Sequence, residues 1–480
     1  MGSTWHDQGR RLATSISAAL LCGLASCGGG DGGGAAASAA AAAAAAASAE
    51  AAAAAASLAS ASSLTVAQYQ AQRSTAAGTG TGTATPADAT QQAKLRSADQ
   101  ALAVAQWQTD FAGSNPVVLP PLVYASARAL AAAAQGDTLA QLDTLLAGRI
   151  SLAPDATTAA WQTGQVASAG WAAQGFKLAR SFLRAVDSSD GRLAAWSLAD
   201  AAFAAGSASS DAALTQALAA QGLALTDFAA TNNLRLLLTH ALKLSGGWPA
   251  GYTFDGLFEV GPQDLLALPL LRVRTGVKRL AGTDYTADLL AAGPLRVLAL
   301  RPTAGTLHAF ATTRLAPALA AAVQTLVMDG AGTAGELLLP LGPLALDAAV
   351  DAPIQRAGVT LAFDEVNANL RGLDELGGTY AQVKSAPARL VVSADGLALS
   401  AAHGLGLTYS VRNVNSGYGV IVTNSGGSVA FPVSGPCTPV WPVADLRSFF
   451  LAVLDSRGAL LALVAVQHPS GTAFVPTCVG

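Results

Sequence analysis

The feature that most restricts the fold is a stretch of small and apolar residues late in the chain. Residues 394–407, ADGLALSAAHGLGL, contain one charge and follow an apolar run, Arg389 to Ser393, that predicts a strand. Such a segment has little side chain to hold it in a core and little charge to hold it in water. We therefore expect it either to lie exposed or to fit between two strands where bulky residues would not.

The first 26 residues are typical of an export signal. Arg10 and Arg11 precede an apolar run, Leu12 to Leu24, that is shorter than a typical transmembrane helix. The run ends in LASCG (24–28), which resembles the bacterial lipobox and implies cleavage before Cys27 and acylation of Cys27. The alternative is an ordinary signal peptide with an incidental cysteine. We expect an exported protein, anchored through Cys27 to a bacterial membrane at its periplasmic face or at the cell surface.

Composition predicts a tether followed by one folded region. Residues 27–92 are rich in Gly, Ala and Thr, so we assign them to a flexible spacer. Residues 93–480 have the length of one large or two ordinary domains. Charged residues make up 12% of the chain, net charge is −3, and no basic patch occurs, so nucleic acid is not an expected partner. Because Cys22 leaves with the signal, Cys437 and Cys478 remain as a pair, and we predict a disulfide between them.

Hydrophobic periodicity predicts helices first and strands later. Helical spacing occurs over 93–111, 122–134, 139–146, 157–183 and 315–328, and strand patterns dominate from residue 234 onward. This order favours an α+β fold over repeating βαβ units.

Six short motifs occur one after another between about residue 93 and residue 469. They are NPVVLPPL (115–122), QGDTLAQL (135–142), LADAAF (198–203), LLTHALKLSGGW (237–248), LLP (338–340) with AGVTLAFD (357–364), and RSFFL (447–451) with QHP (467–469). In this order they resemble the motifs of the serpin family. The resemblance implies an α+β serpin-like fold with a large central sheet A, smaller sheets B and C, and surrounding helices.

The resemblance also implies a mechanism and the residues that carry it. An exposed loop, about residues 394–440, is offered to a serine or cysteine protease, and after cleavage its hinge enters the large sheet as an extra strand and traps the protease. The implied hinge residues are Asp395, Gly396, Leu397, Ala398, Leu399, Ser400, Ala401 and Ala402. By position, the cleaved bond lies among Tyr409, Ser410, Val411 and Arg412. His240 stands at the centre of the sheet, where the family has Asn, and Trp248 stands at its end.

Two other readings remain open. A non-inhibitory binding or structural lipoprotein of the same fold is favoured by Leu397 and Leu399, whose bulk stands where the family has small or hydroxylated residues. No catalytic motif supports an enzyme, since neither Gly-x-Ser-x-Gly nor His-Glu-x-x-His occurs.

No motif for a cofactor or a metal stands out either. Gly330 to Gly335 matches a dinucleotide-binding pattern but precedes a strand, so we interpret it as a turn. The five histidines are scattered without metal-ligand spacing. We therefore expect a monomer with a target protease as its partner and with no cofactor and no metal.

Overall fold

The fold is described from a computed structural model. It describes residues 61–75, 89–108, 114–146, 165–186, 196–201, 234–249, 251–261, 264–348, 351–374, 377–385, 388–409 and 444–474, with Ala46 and Ala49. The chain divides into two compact units, Met1–Ala61 and Ser62–Gly480, and the strands and helices named below belong to the second.

The strands follow runs of β-branched and aliphatic residues, several of which are buried on both faces. Their bounds are β1 Ser63–Leu64, β2 Pro116–Val118, β3 Gln165–Ala173, β4 Leu178–Ala179, β5 Trp196–Ala201, β6 Leu234–Gly247, β7 Tyr252–Gly261, β8 Asp264–Val273, β9 Lys278–Ala281, β10 Tyr285–Ala292, β11 Leu295–Pro302, β12 Thr333–Ala334, β13 Leu337–Pro340, β14 Gly342–Ala348, β15 Thr379–Ser385, β16 Ala388–Val392, β17 Gly396–Tyr409, β18 Leu446–Arg447, β19 Phe449–Leu454, β20 Leu460–Val466 and β21 Thr472–Ala473.

The helices are shorter and cover the sheets. Their bounds are α1 Val66–Thr75, α2 Ala89–Ala105, α3 Pro120–Ala133, α4 Gly136–Leu146, α5 Arg180–Val186, α6 Leu307–Thr313, α7 Leu315–Ala322 and α8 Asp351–Arg356. Single 3-10 turns occur at Gln106–Gln108 and Leu361–Phe363, and a π-helical segment, Val323–Met328, continues α7. Within the described ranges no single helix is long and apolar enough to cross a membrane, although α6 and α7 with its following turn, bent by 78°, pass that test as a pair.

Among the described residues, fourteen strands form one continuous hydrogen-bonded sheet. Its order is β12-β9-β10-β11-β19-β20-β2-β14-β16-β17-β6-β3-β5, and β15 also pairs with β17. We call β14, β15, β16, β17, β6, β3 and β5 the central sheet. A second sheet has the strand order β13-β8-β7-β18, and β21 also pairs with β8. Strands and helices thus form an α+β architecture around a large sheet, with β17 in the middle of that sheet.

The apolar run 157–183 shows where periodicity misleads. It predicts one helix, but residues 165–173 form a strand of the central sheet and only residues 180–186 are helical; residues 157–164 lie outside the described ranges. β3 pairs with β6 on one side and with β5 on the other. A strand in that position is apolar on both faces, and an Ala-rich run of this kind cannot be distinguished from a buried helix by period alone.

The folded unit also begins earlier than composition predicts. Ser63 and Leu64 pair with Ala179 and Leu178, and the side chain of Leu64 is fully buried. Thr65 and Gln68 form a capping box, because each side chain bonds the backbone N–H of the other residue. Part of the segment assigned to the spacer is therefore held against the fold.

Asn115, the first residue of the first motif, joins three separate parts of the chain. Its Nδ2 donates to the carbonyl oxygens of Ala345, at 3.3 Å, and His468, at 2.8 Å. Its Oδ1 accepts from the N–H groups of Gln467, at 2.8 Å, and His468, at 2.7 Å. The buried amide thus ties β14 to the chain that leaves β20.

We expect Asn115→Ala to lower the free energy of unfolding by about 2–4 kcal/mol, because it leaves several backbone groups without their partner. Urea unfolding followed by tryptophan fluorescence measures the change. The matched control is Asn367→Ala, which removes an exposed turn residue whose side chain bonds Asp364. An equal change in the two variants would contradict the role assigned to Asn115.

Candidate functional site

The candidate site is β17, which contains the predicted hinge from Gly396 to Ala402. β17 runs antiparallel to β6 from the Gly396–Gly247 pair to the Thr408–Leu234 pair. On its other side it runs antiparallel to β16 over residues 397–400 and to β15 over residues 403–409. β16 and β15 therefore both run in the same direction as β6, and β17 lies between these two strands on one side and β6 on the other.

A tight turn joins β17 to β16 and fixes where β17 begins. Ser393 N–H donates to the carbonyl of Gly396, at 2.8 Å, which closes a two-residue hairpin loop of Ala394 and Asp395. Trp248, at the end of β6, donates from Nε1 to the carbonyl of Ala394 and from its backbone N–H to the carbonyl of Asp395, both at 3.1 Å. The predicted end-of-sheet position of Trp248 thus has a concrete function in this structure, which is to bind the turn.

Gly396 meets a steric requirement at this point. A Cβ on Gly396 would lie 2.3 Å from the carbonyl oxygen of Gly246, closer than real contacts allow. The glycine therefore lets β17 start directly beside the last residues of β6.

The side chains of β17 alternate between buried and exposed over residues 397–400, and from Ala401 to Thr408 both faces of the strand are buried. The odd-numbered positions are buried in the core: Leu397, Leu399, Ala401, His403, Leu405 and Leu407 are all at most 5% exposed. On the opposite face Ala398 and Ser400 are exposed, whereas Ala402, Gly404, Gly406 and Thr408 further along that face are buried. A period of two with bulk on one face is the pattern of a strand that packs on a core.

This alternation changes the meaning of Leu397 and Leu399. Their bulk suggests an obstacle to insertion when the segment is considered only as small residues. In the structure both side chains are buried, at 3% and 1% exposure, on the same face as Leu405 and Leu407. Burying such side chains contributes roughly 1.5–3 kcal/mol each, so the two leucines stabilise β17 in the central sheet.

At the centre of the sheet β17 brings two histidines together. His403 is the register partner of His240 on β6, and their rings stack with centroids 6.0 Å apart and planes 14° from parallel. Both are buried, at 1% and 0% exposure. Neither ring nitrogen of His403 has a hydrogen-bond partner in the described part of the chain.

The burial of these rings determines their protonation. Burial lowers the pKa of His403 from 6.5 to about 3. Burial also lowers the pKa of His240, and the neighbouring His403 lowers it further. Both imidazoles are therefore neutral at pH 7 in this arrangement.

The far end of β17 is held by a cation between two aromatic rings. The register between β17 and β6 shifts after Leu407, so that Arg235 is an extra residue in β6. Its guanidinium carbon lies 5.7 Å from the ring centroid of Tyr409 and 5.8 Å from that of Phe176. A bulge commonly redirects a side chain in this way, and each contact contributes about 0.5–1 kcal/mol at an exposed site.

Some of the other predicted site residues lie within the described ranges and the rest lie outside them. Asp395 lies exposed in the turn, and Tyr409 is the last residue of β17, 39% exposed. Ser410, Val411 and Arg412, the acylation residue Cys27, and the two cysteines of the predicted disulfide, Cys437 and Cys478, lie outside the described residues, so these assignments stay predictions. Within the described ranges no group of three or more metal-ligating side chains occurs.

Sequence reasoning missed the two contacts that only the inserted strand creates. His240 and His403 are 163 positions apart, and a search by local spacing treats them as unrelated. The Arg235–Tyr409 contact is hidden in the same way. The sequence signal that indicates strand β17 itself is the spacing of Leu397, Leu399, Leu405 and Leu407, which predicts a strand with these side chains on one buried face.

The whole arrangement resembles solved serpin structures. Cleaved Serpin 42Da aligns with a TM-score of 0.59 at 15% identity, covering 80% of this chain and 100% of that one. The thermophilic serpin Tengpin in its latent state aligns with a TM-score of 0.58 at 12% identity, covering 80% and 99%. The loop-inserted structure of a cleaved ovalbumin mutant aligns with a TM-score of 0.59 at 13% identity, covering 78% and 100%. Searches against models of protein families and against curated proteins found no match.

Proposed function

We propose, on the premise that this chain has a serpin fold, that it inhibits serine or cysteine proteases by insertion of its loop strand. The loop that becomes β17 is offered as bait, the protease cuts it near Tyr409, and the freed strand enters the central sheet. The protease, still joined to the end of that strand as an acyl-enzyme, is carried along and distorted. The inhibitor needs no catalytic residue of its own for these steps.

The observation that carries this proposal is the fit of β17 between β16 and β6. The mechanism requires that Gly396–Tyr409 can form a strand of the central sheet. It pairs on both sides, it places six consecutive odd-numbered side chains in the core, and Trp248 holds its beginning. The free energy gained by burying those side chains is what would drive insertion after a cut.

A panel of proteases tests the proposal. Proteases of the trypsin, chymotrypsin, elastase and papain types are each incubated with the protein and examined by denaturing gel electrophoresis. We expect at least one to form a complex that survives boiling in detergent, together with a cleaved chain ending close to Tyr409. Plain cleavage by every protease, with no such complex, would overturn inhibition.

A second candidate function is a non-inhibitory binding or structural protein. One observation favours it: β17 occupies the central sheet while residues 444–474, which follow the loop, keep their own places in the fold. A chain that holds its loop strand in the sheet before any cut offers no bait. The protease panel separates the two candidates, because a non-inhibitory chain would be cut or left intact by every protease without forming a detergent-stable complex.

Anchoring to a membrane belongs to the same proposal. The lipobox-like LASCG (24–28) supports acylation of Cys27, and residues 28–60 then separate the anchor from the folded unit. Expression of the full chain in a bacterium with labelled palmitate tests this. We expect label in the full chain and none in Cys27→Ser; label in neither protein would exclude the anchor.

A further inference from the structure

A row of three polar side chains crosses the exposed face of the central sheet. Ser400 of β17 is the register partner of Arg389 on β16 and of Lys243 on β6. Register partners on neighbouring antiparallel strands point to the same face of a sheet, and all three residues are exposed. Because paired Cβ atoms lie about 5 Å apart, the short side chain of Ser400 has a long cationic side chain on each side, and the two cations begin about 10 Å apart.

The fold does not neutralise the two cations of this row. Among the contacts between described residues, neither Arg389 nor Lys243 forms a side-chain hydrogen bond or an ion pair. Asp347 of β14 lies on the same face, two positions beyond Ala345, the register partner of Arg389, and no ion pair joins Asp347 to Arg389. A guanidinium, an ammonium and a hydroxyl are all hydrogen-bond donors, so the three groups can converge on one oxyanion held over Ser400.

A cavity of about 330 Å³ opens on the same face, next to this row. Its lining includes Ala398, Ser245 and Val391, and Ala398 is the register partner of the other two in the neighbouring row. Pro294, in the turn between β10 and β11, also lines it. Small and apolar side chains thus surround the cavity, which suits a compact apolar group rather than a second charge.

Asp395 limits what the far end of the cavity can accept. It lies exposed in the turn before β17 and also lines the cavity, five positions from Ser400. Five residues of extended chain span about 16 Å, which exceeds the screening length of about 8 Å at physiological ionic strength. The carboxylate of Asp395 therefore leaves the cations beside Ser400 unneutralised, and it would repel a second negative group on a ligand.

We infer that this face binds a small organic oxyanion, a carboxylate or a phosphate monoester, with its charged group over Ser400 between Arg389 and Lys243 and its compact apolar part in the cavity. The site combines side chains of three adjacent strands, so it exists only while β17 lies between β16 and β6. A bound anion therefore stabilises that arrangement. The inference does not rest on the proposed protease inhibition.

The probe is para-fluorobenzoate, whose fluorine NMR signal is followed as the full chain is added. We expect the signal to broaden with a dissociation constant of about 1 mM, as for a small ligand with a few charge-assisted hydrogen bonds at an exposed site. para-Fluorobenzamide has the same shape without the charge and should bind at least about tenfold more weakly. A parallel titration with para-fluorophenyl phosphate shows which of the two head groups the site prefers.

Variants of the row and of the cavity assign the binding to this face. Lys243→Ala and Arg389→Ala each remove one cation, and each should weaken binding of the benzoate about tenfold. Ala398→Leu fills the cavity from one side and should also weaken it. Lys94→Ala removes an exposed lysine of α2 and is the matched control, which should bind as the native sequence does. Thermal midpoints of all four variants check that the chains are folded.

Three results would overturn the inference. The first is no broadening by the full chain, and the second is equal binding of the benzoate and the benzamide. The third is a dissociation constant that is the same for Lys243→Ala, Arg389→Ala and Lys94→Ala, because the anion would then bind elsewhere. A loss of binding in the two row variants, with binding kept in the control, supports the site.

Discussion

The substitution Leu405→Lys is expected to expel β17 from the central sheet. Leu405 is fully buried, and its register partner on β6 is Leu238, which is also fully buried. A lysine at this position would have to bury an unpaired ammonium group or lose its proton, and either costs several kcal/mol. That is comparable to the whole gain from burying two or three of the strand's leucines, so the inserted form should no longer be favoured.

The control for this substitution is Ala398→Lys. Ala398 lies on the exposed face of the same strand, next to Ser245 and Val391, so a lysine there remains in water. We expect the thermal midpoint to fall markedly for Leu405→Lys and to change little for Ala398→Lys. Limited proteolysis should also cut residues 397–407 in the first variant only. Indistinguishable midpoints and cleavage patterns in the two variants would show that β17 does not pack as described.

Acidification is expected to weaken insertion through His403. In a released loop this imidazole has the ordinary pKa of about 6.5, whereas burial in the sheet lowers the pKa to about 3. The inserted state therefore binds fewer protons than the released state at any pH between these values. The free-energy difference that favours the inserted state over the released state keeps its full value above about pH 6.5. It decreases as the pH falls toward 3, by about 1.4 kcal/mol per pH unit for this one group. At pH 5 the loss is about 2 kcal/mol.

The surroundings of His403 support this sign. Its register partners are His240 on β6 and Ser385 on β15, and His240 is paired on its other side with Ser168 of β3. The helix that packs on β6 is α3, whose one charged residue is Arg128. None of these groups is an acid that could stabilise an imidazolium. A second positive charge on His240 would add repulsion.

Hydrogen exchange of the Leu397 to Leu407 amides at pH 7 and pH 5, corrected for the intrinsic effect of pH on exchange, measures the change. We expect protection to fall by about thirtyfold in the native sequence. His403→Leu removes this titrating group and keeps an apolar side chain in the core, so its protection should fall much less at pH 5, the remaining change coming from His240, whose pKa burial also lowers. An equal loss of protection in both proteins would assign the pH effect to other groups.

Much of the fold was accessible from local patterns. The motif around Asn115, the strand runs near residues 234–247 and 449–466, and the helix after Pro120 all coincide with elements of the structure. They could be predicted because each depends on neighbours within a few positions along the chain. The helix predicted over 157–183 was wrong over residues 165–179, because β3 is buried between two strands and its apolar residues no longer alternate.

The sequence by itself determined that residues 394–407 could enter a sheet, since most of their side chains are small and only one carries a charge. Only the tertiary structure decided what the leucines among them do: between β16 and β6 one face of the strand meets the core, so Leu397 and Leu399 stabilise the strand they had seemed to obstruct. The same packing brought His403 against His240 and Tyr409 against Arg235. These contacts join residues more than 160 positions apart, and local periodicity carries no information about such distances.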